Sequence, residues 1–175
     1  GKEWFFRALL LGLMIPSMML IIPQFVLTKQ LHLIDNLWAL VLFYVSGNLA
    51  LNTFLLRSFF EGIPRELDEA MEVDGANVWT RYWRLAMPLA RPALATTVIF
   101  TFLATWDEFA WALTVISTET KRTLPIAIQL FHGQNSTQWG LVFAASLIAI
   151  LPVIVVYLIF QRHFVAGLTA GAVKG

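Results

Sequence analysis

Long uncharged runs divided by short polar breaks set the pattern of this chain. Lys2, Glu3 and Arg7 are followed by an uncharged run from Ala8 to Thr28. Lys29, His32 and Asp35 mark a polar turn, and a second run goes from Asn36 to Leu56 and closes at Arg57. Pro92 to Trp106 is apolar, Asp107 and Glu108 interrupt it, and Phe109 to Ile116 resumes it. Ser117 to Asn135 is a mixed loop; a last run, Ser136 to Gln161, closes at Arg162 and leaves a short Gly- and Ala-rich tail. About 20 helical residues cross the roughly 30 Å hydrocarbon core. The pattern therefore predicts four membrane spans in an all-α polytopic helix bundle. Pro16 and Pro23 fall in the first, which is expected to be one kinked span because neighbours in a bundle can satisfy the carbonyls that proline frees. That run is longer than the apolar core of a secretion signal and lacks a small-residue cleavage site at its end.

The exception to the oily pattern is Pro64 to Pro92, which holds five of the eleven acids and four of the twelve basic residues. Pro64 suits a first helical turn, where its missing N–H costs nothing. Glu66, Asp68 and Glu69 follow, where carboxylates complement the positive end of a helix. Leu67, Ala70, Met71 and Asp74 share a face at helical spacing. Gly75 is expected to stop this helix in the left-handed conformation. Asn77 is expected to cap a second helix, with Val78, Trp79, Tyr82, Trp83 and Ala86 at helical spacing and Pro88 ending or kinking it before the next span. A solvated loop with an interfacial helix satisfies the same residues.

Composition supports a lipid solvent: 58% of residues are hydrophobic and 13% charged, about half the charge of a typical globular domain. Mean hydropathy is +0.71, and seven Trp and fourteen Phe suit interfacial belts. The absence of cysteine excludes a disulfide framework and thiol chemistry. Basic flanks are retained in the cytoplasm. Lys2, Arg7, Arg57, Arg65, Arg81, Arg84, Arg91, Arg162 and Lys174 fall on one side, and Lys29, Lys121 and Arg122 on the other. Nine against three predicts that both termini and the polar stretch are cytoplasmic.

Glu69-Ala70-Met71, three residues, Gly75, nine residues and Leu85-Ala86-Met87-Pro88 resemble the EAA loop of permease subunits of binding-protein-dependent ABC importers. Met71, Leu85 and Met87 depart from that pattern but remain apolar. Pro64-Arg65-Glu66-Leu67, Arg91-Pro92-Ala93-Leu94-Ala95, Trp106-Asp107-Glu108-Phe109 and Gly167 to Gly175 extend the resemblance to the carbohydrate-uptake group, the maltose-type second permease subunit. The resemblance implies a single permease domain over residues 1–175, with residues 64–88 as its cytoplasmic coupling loop. It also implies six spans, so two N-terminal spans are expected to be missing, through a fragment or a truncated gene model.

The implied partners are an ATP-binding cassette ATPase dimer, a second permease subunit and an extracytoplasmic solute-binding protein, in a bacterial-type inner membrane; no nucleic acid is expected. Glu69 would offer a charge to the ATPase, Ala70 would allow close approach, and Gly75 would make the turn; Met71, Leu85 and Pro88 complete the element. No phosphate-binding Gly-x-x-x-x-Gly-Lys-Ser/Thr loop is present. ATP would be used by the partner, and this chain is expected to be neither an enzyme nor the holder of a cofactor. His32, His132 and His163 are scattered and His-Glu-x-x-His is absent, which argues against a metal site.

Candidates for a substrate path are the polar and aromatic residues within spans. Asn48 and Asn52 share a helix face, as a path lining or as packing glue. Asp107 and Glu108 would face a water-filled cavity or cap a helix at the interface. Trp106 and Trp111 are the adjacent aromatic candidates for a sugar face. A secondary transporter or channel working alone, and a scaffold that recruits a soluble partner, remain open as alternatives.

Overall fold

The computed structural model describes residues 1–133 and 136–172. Helices α1 (Lys2–Leu13), α2 (Ile21–Gln30), α3 (Leu37–Glu61), α4 (Arg65–Val73), α5 (Val78–Arg81), α6 (Met87–Trp106), α7 (Ala110–Val115), α8 (Leu124–Gln129) and α9 (Trp139–Ala172) follow in order. Among the described residues the extended pairing is confined to one antiparallel bridge between His132 and Thr137. Among those residues, three helical stretches are long and apolar enough to cross a membrane: Leu37–Glu61, Val78–Trp106 and Trp139–Gln161.

The first uncharged run departs from the single kinked span expected. Its two helical parts, Lys2–Leu13 and Ser17–Gln30, meet at 95°, so the run counts as a fourth span only as a broken one. Pro16 is extended, at φ −59° and ψ 127°, and a residue preceding proline is disfavoured from helical geometry. Ile15 therefore cannot carry α1 onward, and a 3₁₀ turn, Ser17–Leu20, restarts the chain. Pro23 causes no break, because it lies in the first turn of α2, where backbone N–H groups have no partner in any case.

The third run also differs. Its helix ends at Trp106, and residues 110–115 form the separate helix α7 instead of resuming the span. At the other end, Pro88 does not terminate a helix. A π-helical turn, Tyr82–Ala86, joins α5 to α6, and the stretch from Val78 to Trp106 forms one candidate span. Widening the turn accommodates a proline that cannot donate to the ladder. The helix α9 carries Pro152 inside it and continues past Gln161 into the stretch expected to be a tail.

The chain divides into two compact units, residues 1–50 with 101–156, and residues 51–100 with 157–175. The first is centred on Ala39, Leu40, Trp111, Ala112, Val115, Ile116 and Ile126, with Phe25, Leu33, Phe43, Tyr44 and Phe109 packed around them. In the second, Ala90, Ala95, Thr97 and Ile99 of α6 are buried. Small residues recur at these contacts, as expected where lipid offers no hydrophobic drive and helices associate by close packing. Large apolar side chains of α9, including Leu147, Ile148 and Ile159, are exposed.

The turn between α2 and α3 is pinned within the first unit. His32 and Asp35 both take positive φ, 56° and 57°, a region in which Asp and His are enriched among non-glycine residues. Asp35 accepts from the backbone N–H groups of Ser117 and Thr118 at 2.9 and 2.8 Å. It also accepts from the Thr118 hydroxyl and from Lys121 Nζ at 3.2 Å. The Asp35 N–H donates to Val115 O at 2.8 Å. Lys121, which runs against the charge bias along the sequence, thus has a local partner. The Thr118 hydroxyl, then the Thr118 and Ser117 amides and Lys121, hold the Asp35 carboxyl well below the usual carboxylate range despite partial desolvation.

Candidate functional site

The polar stretch folds as two helices around one glycine. Pro64 is the N-cap of α4, extended at ψ 131°, one position earlier than the first-turn place expected. Glu66 and Asp68 occupy the first turn, where the positive end of the helix favours them. The far end closes as a Schellman turn. Gly75 takes φ +78°, its N–H donates to Glu72 O at 3.0 Å, and the Ala76 N–H reaches Met71 O at 2.9 Å. Asn77 then caps α5, its side chain accepting from the Thr80 N–H at 2.9 Å. Glycine is needed here for conformation alone: an added Cβ at Gly75 would meet nothing within 4 Å.

Arg81 braces the pair. Its guanidinium donates to Glu72 at 2.7 Å and Asp68 at 3.2 Å. These two acids lie four apart on α4, so one side of the helix faces α5 through Arg81. Met71, beside them, is partly buried. Glu66, Glu69, Ala70 and Val73 fall on the other side at 100° per residue, and all four are exposed; Val73 is 88% exposed. The result is a short helix fixed at its back, presenting two carboxylates around a small and a branched apolar side chain. Leu85 is partly buried in the π-helical turn, and Pro88 is exposed one residue into α6. The role of Arg81 is absent from the expected set. The signal available in sequence was an i, i+4 pair of acids with one Arg beyond the glycine.

The intramembrane candidates are drawn into local structure to different degrees. Glu108 lies between α6 and α7 and accepts from the Trp111 N–H at 2.7 Å and the Ala112 N–H at 3.0 Å, capping α7. It also accepts from the Tyr44 hydroxyl at 2.9 Å. Asp107 beside it is exposed. Trp111 is 5% exposed, packs edge-on against Phe43 with centroids 4.5 Å apart, and points its indole N–H at Ala39 O, 3.5 Å away. Trp106 stacks on Phe102 and donates to Ala149 O at 3.1 Å. Asn48 donates to Tyr44 O at 2.8 Å. Asn52 lies one turn further along α3 and is partly buried. Glu108, Trp106 and Trp111 thus have polar groups committed to the bundle, while Asp107 points outward.

A family model described as "Binding-protein-dependent transport system inner membrane component" matches residues 1–170. The sulfoquinovosyl glycerol transport system permease protein of Agrobacterium fabrum is 39% identical over 97% of this chain and 61% of its own length. The trehalose transport system permease protein of Mycobacterium tuberculosis is 37% identical over 100% of this chain and 65% of its own. The arabinooligosaccharides transport system permease protein of Bacillus subtilis is 33% identical over 100% of this chain and 62% of its own. The chain spans about three fifths of the length of these curated relatives.

Proposed function

The chain belongs to the family of binding-protein-dependent transport system inner membrane components, and on that premise we propose that it acts as a membrane subunit of an ATP-driven importer. A separate ATPase supplies the energy, a second permease completes the pathway, and an extracytoplasmic binding protein delivers a sugar or related solute. The relatives named for sulfoquinovosyl glycerol, trehalose and arabinooligosaccharides support a carbohydrate-type cargo. Both termini of this chain and α4 face the cytoplasm in this reading.

The observation that carries the proposal is the α4–Gly75–α5 element. A nine-residue helix closed by a Schellman turn and braced by Arg81 is stiff enough to pass a rigid-body displacement to α6, with which α5 is continuous. Glu69 meets a basic or amide group of the ATPase, and Ala70 lets the two backbones approach. Asn48, Asn52 and Asp107 are retained as the polar contributions of this chain to the solute path.

The test is Gly75→Val in the complete importer reconstituted in proteoliposomes. The expected outcome is normal membrane insertion with solute uptake uncoupled from ATP hydrolysis. Normal coupled uptake by the variant would overturn the role of Gly75. Transport on an ion gradient without any ATPase would overturn the reading as a whole.

A further inference from the structure

Two disturbances of one hydrogen-bond ladder meet within a single turn of α9. Pro152 lies inside that helix; it has no N–H to donate to Ile148 O, and its ring crowds that carbonyl. At the next residue, Ala149 O accepts the Trp106 indole N–H at 3.1 Å, across 43 residues of sequence. In a regular helix the same carbonyl serves the Val153 N–H. A proline and a side chain inserted into the ladder are separate causes of a kink, and here they coincide.

Both disturbances fall on one face. Ala149 and Pro152 lie three apart, on the side of α9 that also carries Val142, Ala145, Val153 and Val156. Those six are the shielded residues between 141 and 159; the others there are exposed. The clash of a proline ring with the preceding carbonyl opens the ladder on the proline's own side. That is the shielded side, where the indole reaches Ala149 O. Trp106 is the last residue of α6, and its ring stacks on Phe102 with centroids 5.3 Å apart. The donor therefore sits at the end of a helix, so its position follows that of α6.

We infer that the Trp106 indole is a releasable latch on a Pro152 hinge in α9. Engaged, it supplies a donor to the disturbed turn and holds the bend at one value. Withdrawn, it leaves the helix beyond Pro152 free to swing. Magnitude favours release over permanent bracing: an interhelical hydrogen bond in a bilayer shifts an equilibrium by roughly threefold on average. A small displacement of α6 is enough to tip such a balance. Trp106 is then a positioning residue and not an aromatic face for the solute. That α6 moves during transport rests on the importer reading; the latch itself does not.

The experiment measures distances between nitroxide pairs, by pulsed electron paramagnetic resonance, in the complete importer in nanodiscs. One label is carried by Leu42→Cys in α3. The other is carried by Ile159→Cys, beyond Pro152, or by Phe143→Cys, before it; all three side chains are exposed in this chain. W106F keeps a ring to stack on Phe102 and removes the N–H. It is expected to raise a second Leu42–Ile159 population about threefold and to leave Leu42–Phe143 unchanged. In the P152A background W106F is expected to be silent, because the restored ladder no longer needs the latch. An equal response of both pairs to W106F marks a packing role and overturns the inference. So does no response, or a response that persists in P152A/W106F. Trapping nucleotide on the ATPase is expected to move the wild-type Leu42–Ile159 distribution toward that of W106F, and an unmoved distribution overturns release during the cycle. Failure of the importer reading shows separately, as transport without an ATPase, and the comparison of W106F with P152A/W106F still decides the latch.

Discussion

The Tyr44 hydroxyl donates to Glu108 Oε2 at 2.9 Å across 64 residues of sequence, so one carboxylate both caps α7 and ties it to α3. Tyr44→Phe removes only the inter-helix bond and is expected to cost roughly 0.5–1.5 kcal/mol. Glu108→Ala removes the tie and both cap acceptors, and is expected to cost more. Thermal unfolding in detergent of the two single variants and the double variant checks this. Additive losses would mean that the two side chains are not coupled.

Gly75 has φ +78° with open space around it, so its substitutions differ by backbone preference and not by clash. Asn, which tolerates the left-handed region, is expected to cost least, Ala about 1–2 kcal/mol, and β-branched Val more. The ratio of solute imported to ATP hydrolysed is expected to fall in the order Asn, Ala, Val. An equal ratio in all three would detach coupling from the Schellman turn.

Arg81→Gln unpairs Asp68 and Glu72. Both acids are largely exposed, so the global cost is expected to stay within about 1 kcal/mol. The local effect is larger: amide exchange in α4 is expected to rise while exchange in α6 stays unchanged. Raised salt should move wild type toward the variant, since exposed pairs are screened. Unchanged α4 protection would show that the Schellman turn alone orders the helix.

Val73 is 88% exposed on the outward side of α4, and the chain has no cysteine. Val73→Cys is therefore expected to react with a membrane-impermeant maleimide in inside-out vesicles and not in right-side-out ones. Bound ATPase is expected to slow the reaction. Labelling from the outside would reverse the orientation.

Asp35 supplies a pH dependence of known sign. Its carboxyl is held below the usual range by Thr118, Ser117 and Lys121, so its contribution to stability is full above the ordinary carboxylate pKa of about 3.9 and disappears as pH falls through the lower native value. Asp35→Asn is expected to lower the thermal midpoint at neutral pH and to narrow its difference from wild type in strong acid. A difference that stays constant with pH would deny the charged form its role.

Much of the proposed coupling element is legible along the chain because its signals are local. Gly75 acts through its own backbone conformation and Asn77 through a side-chain bond to the Thr80 N–H three residues on, and the helix boundaries follow from them. The prolines were less legible. Pro16 breaks a helix sharply, Pro23 sits harmlessly in a first turn, and the helix passes Pro88 by a π-helical turn. What each does depends on whether the freed carbonyls find other partners, which spacing does not encode. Glu108 likewise carries two readings in sequence, cavity lining or helix cap, and the Trp111 and Ala112 N–H groups bring out its capping role.

The sequence by itself determined the oily runs, the polar stretch between them and the glycine that turns it, because helical rise and glycine's freedom at positive φ act over a few residues. Only the tertiary structure decided that Arg81 braces α4, that Tyr44 meets Glu108 and that Asp35 reaches across 82 residues to Ser117. Those pairings join charges and donors distant along the chain. A carboxylate takes whichever donors packing brings within reach, and packing is a property of the whole bundle.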